Sequence, residues 1–425
     1  MRLRPGTYTP TTDQDWRQLQ FDIRDLFNPS HPIYQQDLFA GRDDKINEVS
    51  EACIERGRHA VLFGERGVGK TSVANIFHRL ISGPTRHIYA TRIQCDPSST
   101  FESVWTTALE ELTVKNPDGS SRIPLSDLRK EHMFPDDIRR LFDLFMPNEL
   151  PIVMFDEFDK ANDPELRPLM ANTIKNLSDY GSRATILIVG VADDVHSLIG
   201  EHESIKRCLT QVRLPRMSHD ELLKIINPRI DRLGMKITNS AKWKIVVLSR
   251  GLPPYTHRLG RHAALAAARE RKLTVTDDHV DQAIDDVLRE NEESCRQDYE
   301  KAVHSNRDNF YREVLLACAL VEKPDAVGFF APTQVIDPLS QIRKKAIKIA
   351  DFQSQLAKFA GEERGNILER IGRQRSYKFR FRDPMMQPYV ILKGIQAEMV
   401  SVNAKDVLAQ PDQPKLFPTE LSPPS

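Results

Sequence analysis

The sequence lacks the features that mark secreted, membrane-bound and metal-stabilised proteins. Its five cysteines are scattered and show no C-x-x-C spacing, so we interpret them as reduced thiols in a cytoplasmic protein without a zinc site. No apolar run approaches the roughly 18 residues that span a bilayer. The basic residues near the N-terminus are not followed by the apolar segment of a secretory signal. We therefore expect no membrane partner.

The chain also lacks an overall charge. Its 425 residues include 60 Lys and Arg against 60 Asp and Glu, which excludes a protein coated in basic charge but not one local basic face. Residues 341–383 hold such a local excess, with twelve Lys and Arg and five Asp and Glu. A chain of this length indicates about two to four domains.

One segment carries a specific phosphate-binding motif. Residues 64–71 read G-E-R-G-V-G-K-T and fit the P-loop pattern G-x-x-x-x-G-K-[ST]. The apolar run at 60–63 predicts a buried strand before the motif, and residues 72–77 predict the start of a helix after it. The alternative is an ordinary glycine-rich surface turn.

The residue types of the motif suit the binding of phosphate. Glycine lets backbone N–H groups turn towards phosphate oxygens, which a Cβ would block, and the helix N-terminus behind the loop favours negative charge. We expect Lys70 to reach the β- and γ-phosphates and the Thr71 hydroxyl to ligate Mg²⁺. The predicted phosphate-binding residues are Gly64, Glu65, Arg66, Gly67, Val68, Gly69, Lys70, Thr71 and Ser72.

Two adjacent acids, Asp156 and Glu157, follow the apolar run at 152–155. Such a run fits a strand that is buried on both faces of a parallel sheet, and its carboxyl end lies where α/β sheets bind ligands. We predict that Asp156 holds Mg²⁺ through water and that Glu157 orients and deprotonates the attacking water. Adjacent acids can also simply end a strand in solvent.

Strand and helix patterns alternate up to about residue 216 and predict a parallel α/β sheet, whereas only helical patterns follow. Residues 113–135 are rich in turn-forming types and are predicted to be a surface excursion. The predicted regions are an extended N-terminal arm at 1–38, a nucleotide-binding domain at 39–216, a helical lid at 217–305, a third domain at 306–398 and a disordered tail at 399–425.

The third domain is predicted to contain helices and to end in a β-hairpin. Its two strands would cover 366–371 and 377–382, joined by a turn at 372–376. Aromatic and basic residues alternate strictly along the second strand, so they are expected on opposite faces.

These motifs, the helical segment and the letters F-A-G-R at 39–42 together resemble AAA+ ATPases. The third domain narrows the resemblance to the origin-recognition/initiator type, which ends in a winged helix. The resemblance covers roughly residues 37–398. It implies an α/β P-loop NTPase with a helical lid, ATP and Mg²⁺ as cofactors, and a homo-oligomer that shares its ATP sites between subunits.

The resemblance implies roles for residues outside the two motifs. The box at 39–42 would lay Phe39, Gly41 and Arg42 against the adenine; the alternative is a turn before a helix. Asp193 is the candidate for the polar sensor after the 185–191 strand. The family's usual Asn or Thr is absent there, and an Asp at this place can equally cap a helix.

Two arginines have implied roles at the ATP site. Arg207 occupies the place of the arginine finger that a neighbouring subunit supplies, and its alternative is an ordinary surface arginine. Residues 251–258 read G-L-P-P-Y-T-H-R and depart from the family's Gly-x-x-Arg pattern. Arg258 or His257 would replace the lid sensor arginine, or the lid would sense nucleotide poorly.

The basic excess at 341–383 favours contact with DNA. In a winged helix one helix can enter a groove and the hairpin grips the backbone. We expect Arg373 and Arg375 at the hairpin tip, with Lys378 and Arg380 on the second strand, to contact phosphates. The alternative is a protein-interaction domain with a solvated basic strand.

The leading hypothesis is an ATP-driven oligomeric AAA+ switch that a winged helix tethers to DNA. The alternative is a regulatory ATPase whose C-terminal domain docks a protein partner or effector, for example in phage defence or transposition. A protein unfoldase is disfavoured, because residues 95–100 offer no aromatic-glycine pore loop.

Overall fold

The computed structural model describes residues 10–28, 41–80, 87–116, 121–193, 195–199, 203–290, 293–305, 310–322, 324–325, 327–373 and 376–400. The chain divides into two compact units. We call Pro32–Pro215 the α/β unit, and Met1–His31 together with Arg216–Ser425 the helical unit. Phe39, Arg375 and the predicted tail beyond residue 400 lie outside the described residues.

The elements follow one another as the alternating patterns predict. In chain order they are α1 (Asp13–Leu26), α2 (Asp43–Ile54), β1 (His59–Gly64), α3 (Lys70–Leu80), β2 (His87–Gln94), α4 (Phe101–Glu111), β3 (Thr113–Lys115), β4 (Arg122–Pro124), α5 (Pro135–Phe142), β5 (Glu149–Asp156), α6 (Leu166–Asp179), β6 (Thr185–Val191), α7 (His196–Ile199), β7 (Leu209–Arg213), α8 (His219–Arg232), β8 (Lys236–Ile237), α9 (Asn239–Ser249), α10 (Pro253–Arg269), β9 (Thr274–Val275), α11 (Asp277–Glu290), α12 (Glu293–Val303), α13 (Tyr311–Ala319), α14 (Ile336–Arg343), α15 (Ile349–Phe359), β10 (Leu368–Ile371), β11 (Lys378–Phe381) and α16 (Met386–Gln396).

Five strands of the described α/β unit form one parallel sheet in the order β2-β5-β6-β1-β7. The predicted parallel sheet is thus confirmed. Phe63 of β1 pairs with Gly190 of β6, and Phe155 of β5 pairs with Ile188 of β6. The carboxyl ends of β1, β5 and β6 therefore meet at one edge, where α/β sheets bind ligands.

Strand β5, which ends in Asp156, is buried along its whole length, as expected for a strand covered on both faces. Trp105 of α4 packs edge-on against Phe155 of β5, with 5.1 Å between ring centroids, and against Phe142 of α5 at 5.9 Å. This aromatic packing fixes the position of the strand end that carries Asp156 and Glu157.

The prediction of a surface excursion at 113–135 is wrong for its apolar residues. Val114, Leu125 and Met133 are buried, and β3 pairs with β4 in an antiparallel ladder. Arg122 of β4 forms an ion pair of 2.6 Å with the buried carboxylate of Glu149. Polar and turn-forming residues dominate this segment, so the sequence did not indicate that its few apolar side chains pack into the core.

The prediction of an extended N-terminal arm is wrong for its described part. Asp13–Leu26 is a helix that begins with a capping box, and Leu19, Ile23 and Phe27 are buried. An added Cβ on Gly260 of α10 would lie 2.7 Å from the Phe27 ring, so this glycine makes room for the aromatic side chain. The spacing of four between the buried residues is the helical signal that the prediction missed.

The predicted hairpin is present, because β10 and β11 pair in an antiparallel ladder. Phe379 and Phe381 are buried, whereas Lys378 is exposed, in agreement with the predicted alternation. The prediction that the domain ends at the hairpin is wrong, since α16 follows and buries residues 386–392. The predicted lid and third domain fall within the helical unit, and the boundary between them stays a prediction.

Among the described residues, none of the helices combines the length and the hydrophobicity that crossing a membrane requires.

Candidate nucleotide site

The P-loop joins the carboxyl end of β1 to the first turn of α3. Gly64, Gly67 and Gly69 have φ values of 152°, 85° and 97°, which residues with a side chain rarely adopt. At Gly64 space is lacking as well, because an added Cβ would lie 2.4 Å from the carbonyl oxygen of Leu214. The backbone of the motif thus requires glycine independently of any ligand.

Lys70 is buried at the start of α3, and its ammonium group points back into the loop. Its Nζ donates hydrogen bonds to the carbonyl oxygens of Gly64 (3.0 Å) and Glu65 (2.8 Å). Burial lowers the pKa of Lys70 to about 8, although the carboxylates of Asp159 and Asp156 oppose that shift. The group is therefore a cation at neutral pH that sits close to its titration range.

Asp156 is the last residue of β5, and its carboxylate lies beside the Thr71 hydroxyl. Burial raises the pKa of Asp156, while the neighbouring Thr71 hydroxyl and the charge of Arg92, 3.5 Å away, act in the opposite direction. The two predicted Mg²⁺ ligands are therefore adjacent. Their hard oxygen atoms suit Mg²⁺, which takes one or two protein ligands together with phosphate and water oxygens.

No group of three or more His, Cys, Asp or Glu side chains suited to a metal ion occurs within the described part of the chain.

Glu157 follows β5 with a left-handed backbone (φ 54°) and is held by two side chains. Gln94 Nε2 donates to its Oε2 at 2.9 Å, and Lys160 Nζ lies 2.7 Å from its Oε1. Burial alone would raise the pKa of Glu157, but the bonds from Lys160 and Gln94 outweigh it and lower the pKa. The carboxylate is therefore ionised at neutral pH, as a proton acceptor must be.

Asp159 is a further carboxylate at this edge that the sequence analysis did not identify. Its Oδ1 accepts a hydrogen bond of 2.7 Å from the backbone amide of Val191 at the end of β6. An added Cβ on Gly190 would lie 2.9 Å from the same Oδ1, so this glycine permits the contact. Asp159 is the last residue of the segment D-E-F-D at 156–159. The sequence of this segment does not indicate that Asp159 bonds to the strand β6.

Arg42 is buried and has a left-handed backbone (φ 71°) before α2. Its Nη2 donates to the carbonyl oxygen of Val68 at 3.4 Å and to that of Pro215. The guanidinium thus braces the P-loop and the segment after β7. The predicted contacts of Phe39, Gly41 and Arg42 with the adenine stay predictions.

The other predicted ATP-site residues occupy the expected places in the chain. Asp193 is exposed just after β6. Arg207 lies in a short 3₁₀ helix directly before β7, and its exposed guanidinium forms an ion pair with Asp179 of α6. Arg258 belongs to α10 in the helical unit, and its guanidinium lies 5.7 Å from the centroid of the Tyr255 ring. The sensor and finger roles of these residues stay predictions.

Two of the predicted DNA-contacting residues, Lys378 and Arg380, form ion pairs with acids of the helical unit. Lys378 forms an ion pair of 3.2 Å with Asp325, and Arg380 forms one of 2.7 Å with Glu369. Arg380 also lies over the Phe329 ring at 4.5 Å. These side chains join β11 to neighbouring segments.

Residues 38–189 match the family model of the AAA ATPase domain. The match includes the P-loop, Asp156 and Glu157, so the α/β unit has a parallel-sheet P-loop NTPase fold of the AAA type. No curated protein gives a match to this sequence.

Several solved structures are similar over most of the chain. The Orc1 protein of Aeropyrum pernix in complex with DNA matches with a TM-score of 0.47 and 14% identity, covering 89% of this chain and 98% of that chain. Cdc6p of Pyrobaculum aerophilum gives 0.44 and 14%, with coverages of 89% and 99%. A RuvB variant of Thermotoga maritima gives 0.44 and 17%, with coverages of 87% and 98%. At these low scores and identities the matches establish no shared activity or partner.

Proposed function

We propose that this protein is an AAA+ switch that binds and hydrolyses ATP. The observation that carries the proposal is the convergence of the P-loop with Asp156 and Glu157 at one sheet edge, where the Thr71 hydroxyl lies beside the Asp156 carboxylate. Charged side chains are rarely buried unless they are paired or functional. The partial burial of Lys70, Asp156 and Glu157 at this edge therefore supports a shared ligand, in which Lys70 binds phosphate and the acids face its Mg²⁺ and the attacking water.

The P-loop and the residues at the end of β5 have separate roles in the proposed hydrolysis. The P-loop amides from residue 64 to residue 72 and the Lys70 ammonium bind the phosphates. Thr71 and Asp156 hold Mg²⁺, which supplies charge neutralisation on the phosphate oxygens. Glu157 orients a water molecule and accepts its proton as the water attacks the γ-phosphorus and the bond to the bridging oxygen breaks.

The proposed assembly is a homo-oligomer with ATP between subunits. In it Arg207 serves as the arginine finger of the neighbouring site, which requires its guanidinium to leave the ion pair with Asp179. The exposure of the side chain, 71%, supports this role because a finger must reach another subunit. Asp193 and Arg258 act as sensors, and Phe39, Gly41 and Arg42 line the adenine site.

The proposed tether is DNA, bound by a C-terminal winged helix made of α13, α14, α15 and the β10–β11 hairpin. Support comes from the order of these elements and from the basic excess at 341–383. A chain that binds ATP but no DNA would favour the alternative, in which this domain docks a protein partner or effector.

The decisive experiment is calorimetry of the full-length protein with ATP and Mg²⁺. Wild type should bind, and Lys70→Ala should bind much more weakly. The control is Lys115→Ala, which removes an exposed lysine of β3 and should bind like wild type. Absence of heat from wild type, or equal binding by Lys70→Ala, would refute the proposed nucleotide site.

A further inference from the structure

We infer that the turn between α14 and α15 is the main phosphate-binding element of the C-terminal region, in place of strand β11. We call Lys344, Lys345 and Lys348 the lysine turn. The inference rests on the proposed DNA tether and assigns residues to it that the sequence analysis did not.

The backbone of the lysine turn is fixed at both ends. The amides of Lys344 and Lys345 donate to carbonyl oxygens of α14, each at 3.2 Å. The amide of Lys348 donates to the Asp351 carboxylate at 2.8 Å, which caps α15. Ile347 is buried between them. The three lysines therefore project from an ordered turn, so little backbone entropy is lost when they bind.

The lysine turn presents charge that other side chains do not cancel. All three lysines are exposed, and within the described ranges none of their ammonium groups forms an ion pair or hydrogen bond. Asp351 is the nearby acid on α15, and it is bonded to the backbone rather than to an ammonium group.

Strand β11 differs in this respect. Asp325 and Glu369 lie within ion-pair distance of Lys378 and Arg380. Each acid neutralises its partner and would also repel an approaching phosphate. The net positive charge, and therefore the attractive field, is smaller at β11 than at the lysine turn.

The composition of the turn favours nucleic acid over a protein partner. Protein interfaces depend on large apolar or aromatic anchors. Among the described residues, none of the exposed large apolar side chains belongs to residues 344–348. Phosphate contact requires only positive charge and leads to sequence-independent binding.

The test measures fluorescence anisotropy of a labelled mixed-sequence DNA duplex with the full-length protein from about 50 to 200 mM salt. The turn variant combines Lys344→Gln, Lys345→Gln and Lys348→Gln. The matched control removes three exposed, paired charges outside the proposed winged helix through Lys272→Gln, Arg289→Gln and Arg296→Gln. A second comparison variant, Lys378→Gln with Arg380→Gln, measures the contribution of strand β11. Thermal unfolding of each variant checks that the fold is intact.

We expect the turn variant to lose at least about tenfold in affinity. The slope of log affinity against log salt should fall by about 0.9 for each phosphate contact removed. The control variant should change affinity by less than about threefold, because it removes the same number of charges outside the proposed DNA-binding elements. The β11 variant should lose less affinity for each charge removed than the turn variant.

Three results would overturn the inference. Unchanged affinity and slope in the turn variant would refute the lysine turn alone, and the DNA tether would stand. No DNA binding by wild type would refute the tether and the turn together, while calorimetry with ATP still judged the nucleotide site. Displacement of the DNA by polyglutamate at equal charge concentration would reassign the turn to an acidic protein partner.

Discussion

The candidate nucleotide site and the basic hairpin both contain several charged residues, but the surroundings of these charges differ. At the nucleotide site, buried Lys70 and Asp156 come from different elements and meet at one sheet edge. At the hairpin, Lys378 and Arg380 pair with acids of their own unit. Convergence of buried charges indicates a ligand, whereas a local count of basic residues does not indicate where free charge lies.

The largest expected effect tests whether the nucleotide site is complete within one chain. Arg207→Ala should lower the ATPase kcat by roughly 10³–10⁵-fold, because a finger neutralises charge on the phosphates in the transition state. Steady-state phosphate release measures it. Mixing Arg207→Ala with Lys70→Ala protein should restore part of the activity, since mixed interfaces combine an intact site with an intact finger. Asp179→Asn is the control and should retain activity; full activity of Arg207→Ala would remove the finger assignment.

The second-largest effect is expected for Glu157, whose carboxylate bonds to Gln94 and Lys160. Glu157→Gln should keep ATP affinity and lose roughly 10²–10⁴-fold in kcat, because the amide cannot accept the proton of the attacking water. Calorimetry and single-turnover hydrolysis measure the two quantities separately. Glu110→Gln, an exposed acid of α4, is the control. Normal turnover by Glu157→Gln would show that another group accepts the proton.

A smaller effect follows from the burial of Lys70, which lowers its pKa to about 8. Below that pH the free protein carries a charged Lys70. Above it the lysine is neutral and must gain a proton to bind the phosphates, so ATP affinity should fall by up to about tenfold for each pH unit. Calorimetry in buffers of different ionisation enthalpy should detect the proton uptake. Lys70→Arg, which stays charged, should show no such uptake; an equal pH dependence in that variant would exclude Lys70 as its source.

The smallest effect belongs to the hairpin. Lys378→Gln should lower the free energy of unfolding by about 0.2–1 kcal/mol, because the pair with Asp325 is largely solvent-exposed. Chemical denaturation measures it, with Lys345→Gln as a control that should be neutral. A larger loss in the control than in Lys378→Gln would contradict the assignment of paired and unpaired lysines.

Predictions from the sequence succeeded where a short motif determines the local backbone geometry. The P-loop follows from glycines that adopt positive φ values and from a lysine at the first helical residue. The buried β5 strand follows from its continuous apolar run. The helix at Asp13–Leu26 was missed because its apolar residues are interspersed with polar ones, and the adjoining Phe27 packs in space that Gly260 of α10 leaves open.

The sequence by itself determined the phosphate loop, the acids after a buried strand and the alternating pattern that specifies a parallel sheet. All of these depend on neighbours in the chain. Only the tertiary structure decided which partners the charged side chains meet. Asp159 reaches Val191, Gln94 reaches Glu157, and Asp325 reaches Lys378 across 32, 63 and 53 residues of sequence. The physical reason is that electrostatic interactions depend on distance in space, and sequence separation does not report that distance.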